Sequence, residues 1–177
     1  MENLPNGLRH LNSLQPHDAE SEFLKCCGAK TWAREMRQQI PFRDVSGLLE
    51  TAKSVWWSLK PEDWLEAFRS HPKIGEQKAA AAASKASLSW SSKEQAGVSN
   101  ASAATKQLLA DLNRRYEEKF GFIYIVCATG KTSDELLAIL QERLGHDSET
   151  ELQTAAREQA QITALRLNKL LDSLERA

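Results

Sequence analysis

The sequence predicts an all-α fold on three observations. Apolar residues recur at helical spacing along most of the chain, helix-start signals precede several of those stretches, and Pro or Gly closes them. Pro16 falls in the first turn of a helix running to Cys27, with Gly28 behind it as a stop. The next helix covers Trp32 to Gln39 and ends before Pro41, because a residue that precedes proline is pushed out of the α region. Asp44 can cap a third, which carries Leu48, Leu49, Ala52, Val55 and Trp56. Pro61 opens a fourth, turning Trp64, Leu65 and Phe68 inward and ending near His71. Leu108, Leu109, Leu112 and Tyr116 mark a fifth, closed by Phe120. Thr132-x-x-Glu135 reads as a capping box for Leu136 to Leu144, stopped by Gly145; Ser148-x-x-Glu151 repeats the signal for a long C-terminal helix. The expectation is a single-domain bundle of about seven to nine helices.

Two stretches escape the helical pattern. Gln77 to Leu88 is rich in Ala, Lys and Ser and has no large apolar face, so a mobile, exposed loop is expected at about 77–89. Phe122 to Ala128, between Gly121 and Gly130, is short, apolar and β-branched, which on its own predicts a buried strand. No second convincing strand exists to pair with it, and a lone strand leaves its backbone groups unsatisfied.

Composition narrows the function classes. The 177 residues suit one domain with a substantial core. With 23 basic and 24 acidic side chains the formal net charge is −1, so no global field favours nucleic acid or anionic lipid. No apolar run approaches the roughly 18 residues needed to span a bilayer. Met1-Glu2-Asn3 opens no secretory pattern, and Glu175-Arg176-Ala177 is no Ser-Lys-Leu type signal, so a cytoplasmic location is expected. The 3 cysteines, Cys26, Cys27 and Cys127, have no metal-ligand spacing and read as reduced thiols. Neither a Gly-rich phosphate loop nor a ligand cluster is present, so no metal or cofactor is expected.

Chemistry-bearing side chains concentrate in two segments, Ser70-His71-Pro72-Lys73-Ile74-Gly75 and Trp90-Ser91-Ser92-Lys93-Glu94-Gln95. Pro72 forces His71 out of the α region, which suits a titratable ring lining a cleft. The plain alternative is that His71 packs or caps, and that Ser91-x-x-Glu94 is a capping box. A third candidate, Arg166, falls beside Ala155 and Ile162 on the shoulder of an apolar stripe formed by Leu152, Ala156, Ala160, Leu167, Leu170 and Leu174. There it either snorkels to water or offers a bidentate fork to a carboxylate.

His71-Pro72-Lys73-Ile74-Gly75 and Trp90-Ser91-x-x-Glu94-Gln95 together resemble the 2-oxo-4-hydroxy-4-carboxy-5-ureidoimidazoline (OHCU) decarboxylase family of urate breakdown. The resemblance runs through nearly the whole chain. It takes in Phe23-Leu24-Lys25-Cys26-Cys27-Gly28, Trp64-Leu65-Glu66-Ala67-Phe68, Asn113 to Phe122, and Glu158-Gln159-x-x-Ile162-x-x-x-Arg166-Leu167. It implies an all-helical fold in which Phe122 to Ala128 lies beside the active site. It also implies a cofactor-independent carboxy-lyase making (S)-allantoin, in which the conjugated substrate serves as its own electron sink.

By the same resemblance, His71 and Glu94 are the catalytic residues. Pro72, Ser91 and Gln95, the backbone of Tyr124, Ile125, Val126, Cys127 and Ala128, and Arg166 bind the substrate. The expected assembly is a homodimer, to which Trp56, Trp57 and Trp64 could contribute. The expected functional partner is a hydroxyisourate hydrolase encoded separately. The competing readings are a non-enzymatic helical interaction module and a lyase acting on another small ureide; stereospecific allantoin formation separates all three.

Overall fold

The computed structural model describes residues 4–75, 85–99 and 101–176. Among these there are ten α-helices and no strand. They are α1 (Asn6–Ser13), α2 (Pro16–Cys26), α3 (Lys30–Gln38), α4 (Val45–Ser58), α5 (Pro61–Arg69), α6 (Lys85–Glu94), α7 (Ala96–Ser99), α8 (Ala103–Phe120), α9 (Ser133–Arg143) and α10 (Ser148–Glu175). The all-α expectation holds, and the count exceeds it. α1 has no side-chain cap to announce it. α6 takes up Lys85 to Leu88, which were expected to be loop, with Ser87 and Ser91 on its buried face. The earlier part of the expected loop, 77–84, lies outside the described residues.

The chain divides into two compact units, the first Met1–Glu66 with Ala160–Ala177, the second Ala67–Gln159. Unit one is built on aromatic side chains. Phe23 meets Trp32 and Phe42 edge-on, at 5.9 and 6.2 Å between ring centres. Trp32 Nε1 donates to Ala52 O at 3.1 Å and Trp64 Nε1 to Trp56 O at 3.0 Å, so each buried indole keeps a partner. Trp56 and Trp64 are thus core residues, and Trp57 alone of the three is exposed. Asp44 caps α4 as expected, accepting from Gly47 N at 2.7 Å. α3 has no local cap; Glu66 accepts from Lys30 N at 3.0 Å instead. A Cβ on Gly7 would stand 2.1 Å from Leu171 O, so only glycine lets these two backbones meet.

Unit two packs Ile74, Leu109, Leu112, Tyr116, Tyr124, Val126, Leu136 and Leu140 into one cluster. Leu108, expected with them, is exposed. α8 ends on Gly121 in the left-handed conformation, and Thr132 and Glu135 form the expected capping box of α9. The second capping box is a correction. Asp147 is what caps α10, accepting from Thr150 N at 2.9 Å. Glu151 points inward and is fully buried, pairing with Arg143 and accepting from Tyr116 Oη, while His146 Nδ1 lies 2.7 Å from its second oxygen. A partner set that strong outweighs a capping bond worth about 1 kcal/mol.

α10 is rotated from its expected setting. Leu152, Ala160 and Leu174 are only partly buried, whereas Glu151, Gln159, Thr163 and Arg166 lie on the buried face with Ala155, Ile162 and Leu170. Hydropathy assigns those polar residues outward. They face inward because they have partners there, and Arg166, at 1% exposure, does not snorkel to water.

Candidate active site

The site residues read from the sequence fall mostly in unit two. His71 follows the last turn of α5, its amide donating to Phe68 O at 3.2 Å, and Pro72 prevents the helix from continuing. The turn after it is pinned at three points. Lys73 Nζ reaches Glu117 at 2.6 Å, Asn113 donates to Ile74 O at 2.9 Å, and Gly75 N donates to Gln95 Oε1 at 3.1 Å. Gly75 has φ of 81°, a conformation that strains any residue with a Cβ. The last of these bonds ties the two predicted motifs directly together.

The capping reading of Trp90 to Gln95 fails. Ser91 and Ser92 lie inside α6 rather than at its start, and Glu94 is its final residue. Ser91 is buried, Glu94 and Gln95 are half-buried, and the chain leaves the helix at Gln95. The side-chain oxygen of Gln95 accepts from the Gly75 amide, and its NH₂ is a hydrogen-bond donor.

Phe122 to Ala128 lies outside the helices and is buried from Tyr124 to Ala128, but it forms no strand pairing. Side chains take the place of a neighbouring strand. Arg143 Nη1 donates to Ile125 O at 2.7 Å, Glu158 accepts from Cys127 N at 2.7 Å, and Lys131 Nζ donates to Cys127 O at 2.6 Å. The strand that composition alone suggests does not form, and Ile125 O, Cys127 N and Cys127 O are met by charged side chains, each bond stronger than a neutral ladder bond. Arg143 also lies over the Tyr124 ring, 4.9 Å from its centre.

Electrostatics link these pieces. Burial pushes the Cys127 thiol above its ordinary value; Lys131 and the Thr129 amide draw it down, and Glu158 and Glu94 push it up. The charge of Glu94, at the end of α6, is thus felt at Cys127, as the weakest of these influences. His71 has its own close partner: Nε2 lies 2.8 Å from Oε1 of Gln159, a fully buried residue of α10.

Arg166 belongs to unit one. Its charge is felt by two buried thiols there. Burial raises Cys26 well above the thiol range, and raises Cys27 to about 11, against the Ala29 amide, the Thr163 hydroxyl and Arg166. Two open hollows of unit one, about 690 and 510 Å³, are lined by residues such as Glu35, Lys60 and Asp63, and His17, Glu20 and Arg37; none is a predicted site residue. Among the described residues no three His, Cys, Asp or Glu side chains gather as a metal site.

Sequence reading gave no role to Gln159, Glu158, Lys131 and Arg143, although Glu158 and Gln159 stand in the motif that carries the resemblance. Gln159 had a second signal. Glu151, Ala155, Gln159 and Thr163 are spaced by four, and three polar residues in such a row mark either a solvated face or a polar line inside the protein.

The chain is 38% identical over 152 residues to the uric acid degradation bifunctional protein TTL of Arabidopsis thaliana, spanning 85% of this chain and 47% of that protein. The chain thus covers about half the length of this relative. It is 27% identical to 2-oxo-4-hydroxy-4-carboxy-5-ureidoimidazoline decarboxylase of Haloferax volcanii, over 94% of this chain and 96% of that one. Among solved structures, an OHCU decarboxylase crystallised in the presence of (S)-allantoin superposes with a TM-score of 0.73 at 36% identity. It covers 85% of this chain and 97% of its own. An (S)-allantoin synthase shares the fold at 18% identity, with a TM-score of 0.68 over 92% of this chain and 53% of its own. With the OHCU decarboxylase pattern matching residues 12–168, the chain belongs to the OHCU decarboxylase family.

Proposed function

We propose that this protein decarboxylates OHCU to (S)-allantoin and carbon dioxide in urate degradation. The observation that carries the reading is the family match across residues 12–168, continuous through both units. Breaking the bond to the carboxylate leaves an electron pair that the substrate's own carbonyl and imine groups accept. The protein is left to orient the ring, stabilise charge and direct one proton to one face.

His71 is the acid/base residue, acting on the C4 hydroxyl or otherwise setting substrate ionisation. Glu94 orients the ring or ureido nitrogens and assists proton transfer. The loss of its capping explanation supports that role and removes one of the two supports of the interaction-module alternative, the other being high helix content. Pro72 shapes the wall, Ser91 and the Gln95 amide nitrogen provide polar contacts, and the backbone from Tyr124 to Ala128 reads the ring edge. Arg166 binds an anionic group of the substrate, a role that rests on the resemblance.

The assembly is a homodimer in the cytoplasm, with a hydroxyisourate hydrolase upstream. The bifunctional names of the Arabidopsis thaliana and Bacillus relatives support such pathway linkage. Light scattering tests the dimer.

Freshly generated OHCU, followed by circular dichroism, tests the activity. The expected result is a rising signal of (S)-allantoin, unchanged after exhaustive EDTA dialysis. Failure to turn over OHCU returns the protein to the interaction reading, and loss of rate restored by a divalent metal removes the cofactor-free mechanism.

A further inference from the structure

Gln159 is fully buried, and its side-chain oxygen is what faces His71 Nε2, 2.8 Å away. An amide oxygen only accepts, so the ring nitrogen opposite it carries the proton. In a neutral imidazole with Nε2–H, the basic lone pair belongs to Nδ1. We infer that Gln159 is a positioning residue that locks His71 in the Nε2–H tautomer, making Nδ1 the nitrogen that exchanges protons with substrate. This rests on the reading of His71 as the acid/base group.

The choice of an amide has a physical consequence. A carboxylate at this position would hold the ring by charge and favour the imidazolium form, which cannot act as a base. The neutral amide selects the tautomer without placing a negative charge beside the ring. The platform is also rigid. Glu158, one residue earlier, accepts from Cys127 N at 2.7 Å, so adjacent residues of α10 anchor the imidazole and the segment around Cys127. Movement of either relative to the other is thereby limited, as directed proton transfer requires.

Long-range ¹H–¹⁵N spectra of the free protein near neutral pH test the lock without substrate, with His71→Asn used to assign the ring signals. The expected spectrum shows a protonated Nε2 and an unprotonated Nδ1. Gln159→Met keeps the side-chain volume but removes the acceptor. It should mix the tautomers and lower kcat about 10- to 100-fold, the range for losing an orienting partner of a functional histidine, with KM changed far less. A wild-type spectrum with the proton on Nδ1 overturns the inference whether or not the variant folds. So does a folded Gln159→Met protein with unaltered tautomer and kcat. Absence of OHCU turnover by the wild type sinks the functional reading and leaves the tautomer result standing.

Discussion

The two units solve the same problem, burying polar groups, in different ways. In unit one aromatic side chains bring buried polar atoms with them, such as the indole N–H of Trp32 and Trp64, each given a helix carbonyl, and Arg166 is the buried charge among the described residues. Unit two buries an ion pair. Arg143 and Glu151 are 4% and 0% exposed, and they join Tyr116, His146 and the Ile125 carbonyl into one network. Burial and the acceptor Glu151 drive the Tyr116 hydroxyl above the usual phenol range despite Arg143. The difference teaches where direction matters. An apolar core tolerates some repacking, but a network of ion pairs and hydrogen bonds holds a non-helical segment in one conformation.

The largest effect belongs to the site itself. Replacing His71 by Asn should lower kcat/KM by about 10²- to 10⁴-fold, the usual contribution of a positioned acid/base group. The melting temperature should move little, because the ring is half-buried and outside the main core. A folded variant with near wild-type turnover would remove the proposed mechanism.

The comparison of units is tested most sharply at Arg143. Arg143→Met strands the Glu151 carboxylate in the interior and should cost about 3–5 kcal/mol of stability in urea unfolding. Adding Glu151→Leu should recover much of that loss, since a neutral pair no longer needs a partner. If the double variant is as unstable as the single one, the network contributes through shape rather than charge.

A milder effect is expected in unit one. Trp32→Phe keeps most of the ring but removes the donor to Ala52 O, a loss of about 1–3 kcal/mol. The same urea measurement ranks it against Arg143→Met. The reverse order would contradict the distinction drawn between the units.

The smallest effects are pH-dependent and opposite in sign. In unit one, Cys27 is raised from 9.0 to about 11 by burial, so its stabilising contribution is complete below 9.0 and fades as pH climbs toward 11. In unit two, Asp147 is held below its ordinary 3.8 by the Thr150 amide and hydroxyl. Its contribution is present above 3.8 and lost as pH falls through the lower folded value. Hydrogen exchange at the start of α10 should therefore quicken with acid, and Asp147→Asn should flatten that dependence. Equal acid sensitivity in both proteins would show that the cap is not its source.

Much of the architecture was legible because local signals are short-range. Pro16, Asp44, Pro61 and the Thr132–Glu135 box lie within a turn of the helix ends they determine. His71 and Glu94 were legible as candidates because their motifs join proton-transfer groups to breaks near Pro72 and Gln95, and because those motifs match a family. That both belong to one family was therefore readable. How their parts are held was not.

What the sequence alone determined is the helical class, most helix starts and the two motifs, all consequences of residues a few positions apart. Tertiary structure decided the rest through long-range partners. Glu151 became a buried anion and not a cap because Arg143 and Tyr116 wait for it, and Phe122 to Ala128 stayed out of a sheet because Arg143, Glu158 and Lys131 satisfy its backbone. The buried face of α10 turned toward Gln159 and Arg166 for the same physical reason. A polar side chain's preference for inside or outside depends on whether a partner is present, and that partner can lie anywhere in the sequence.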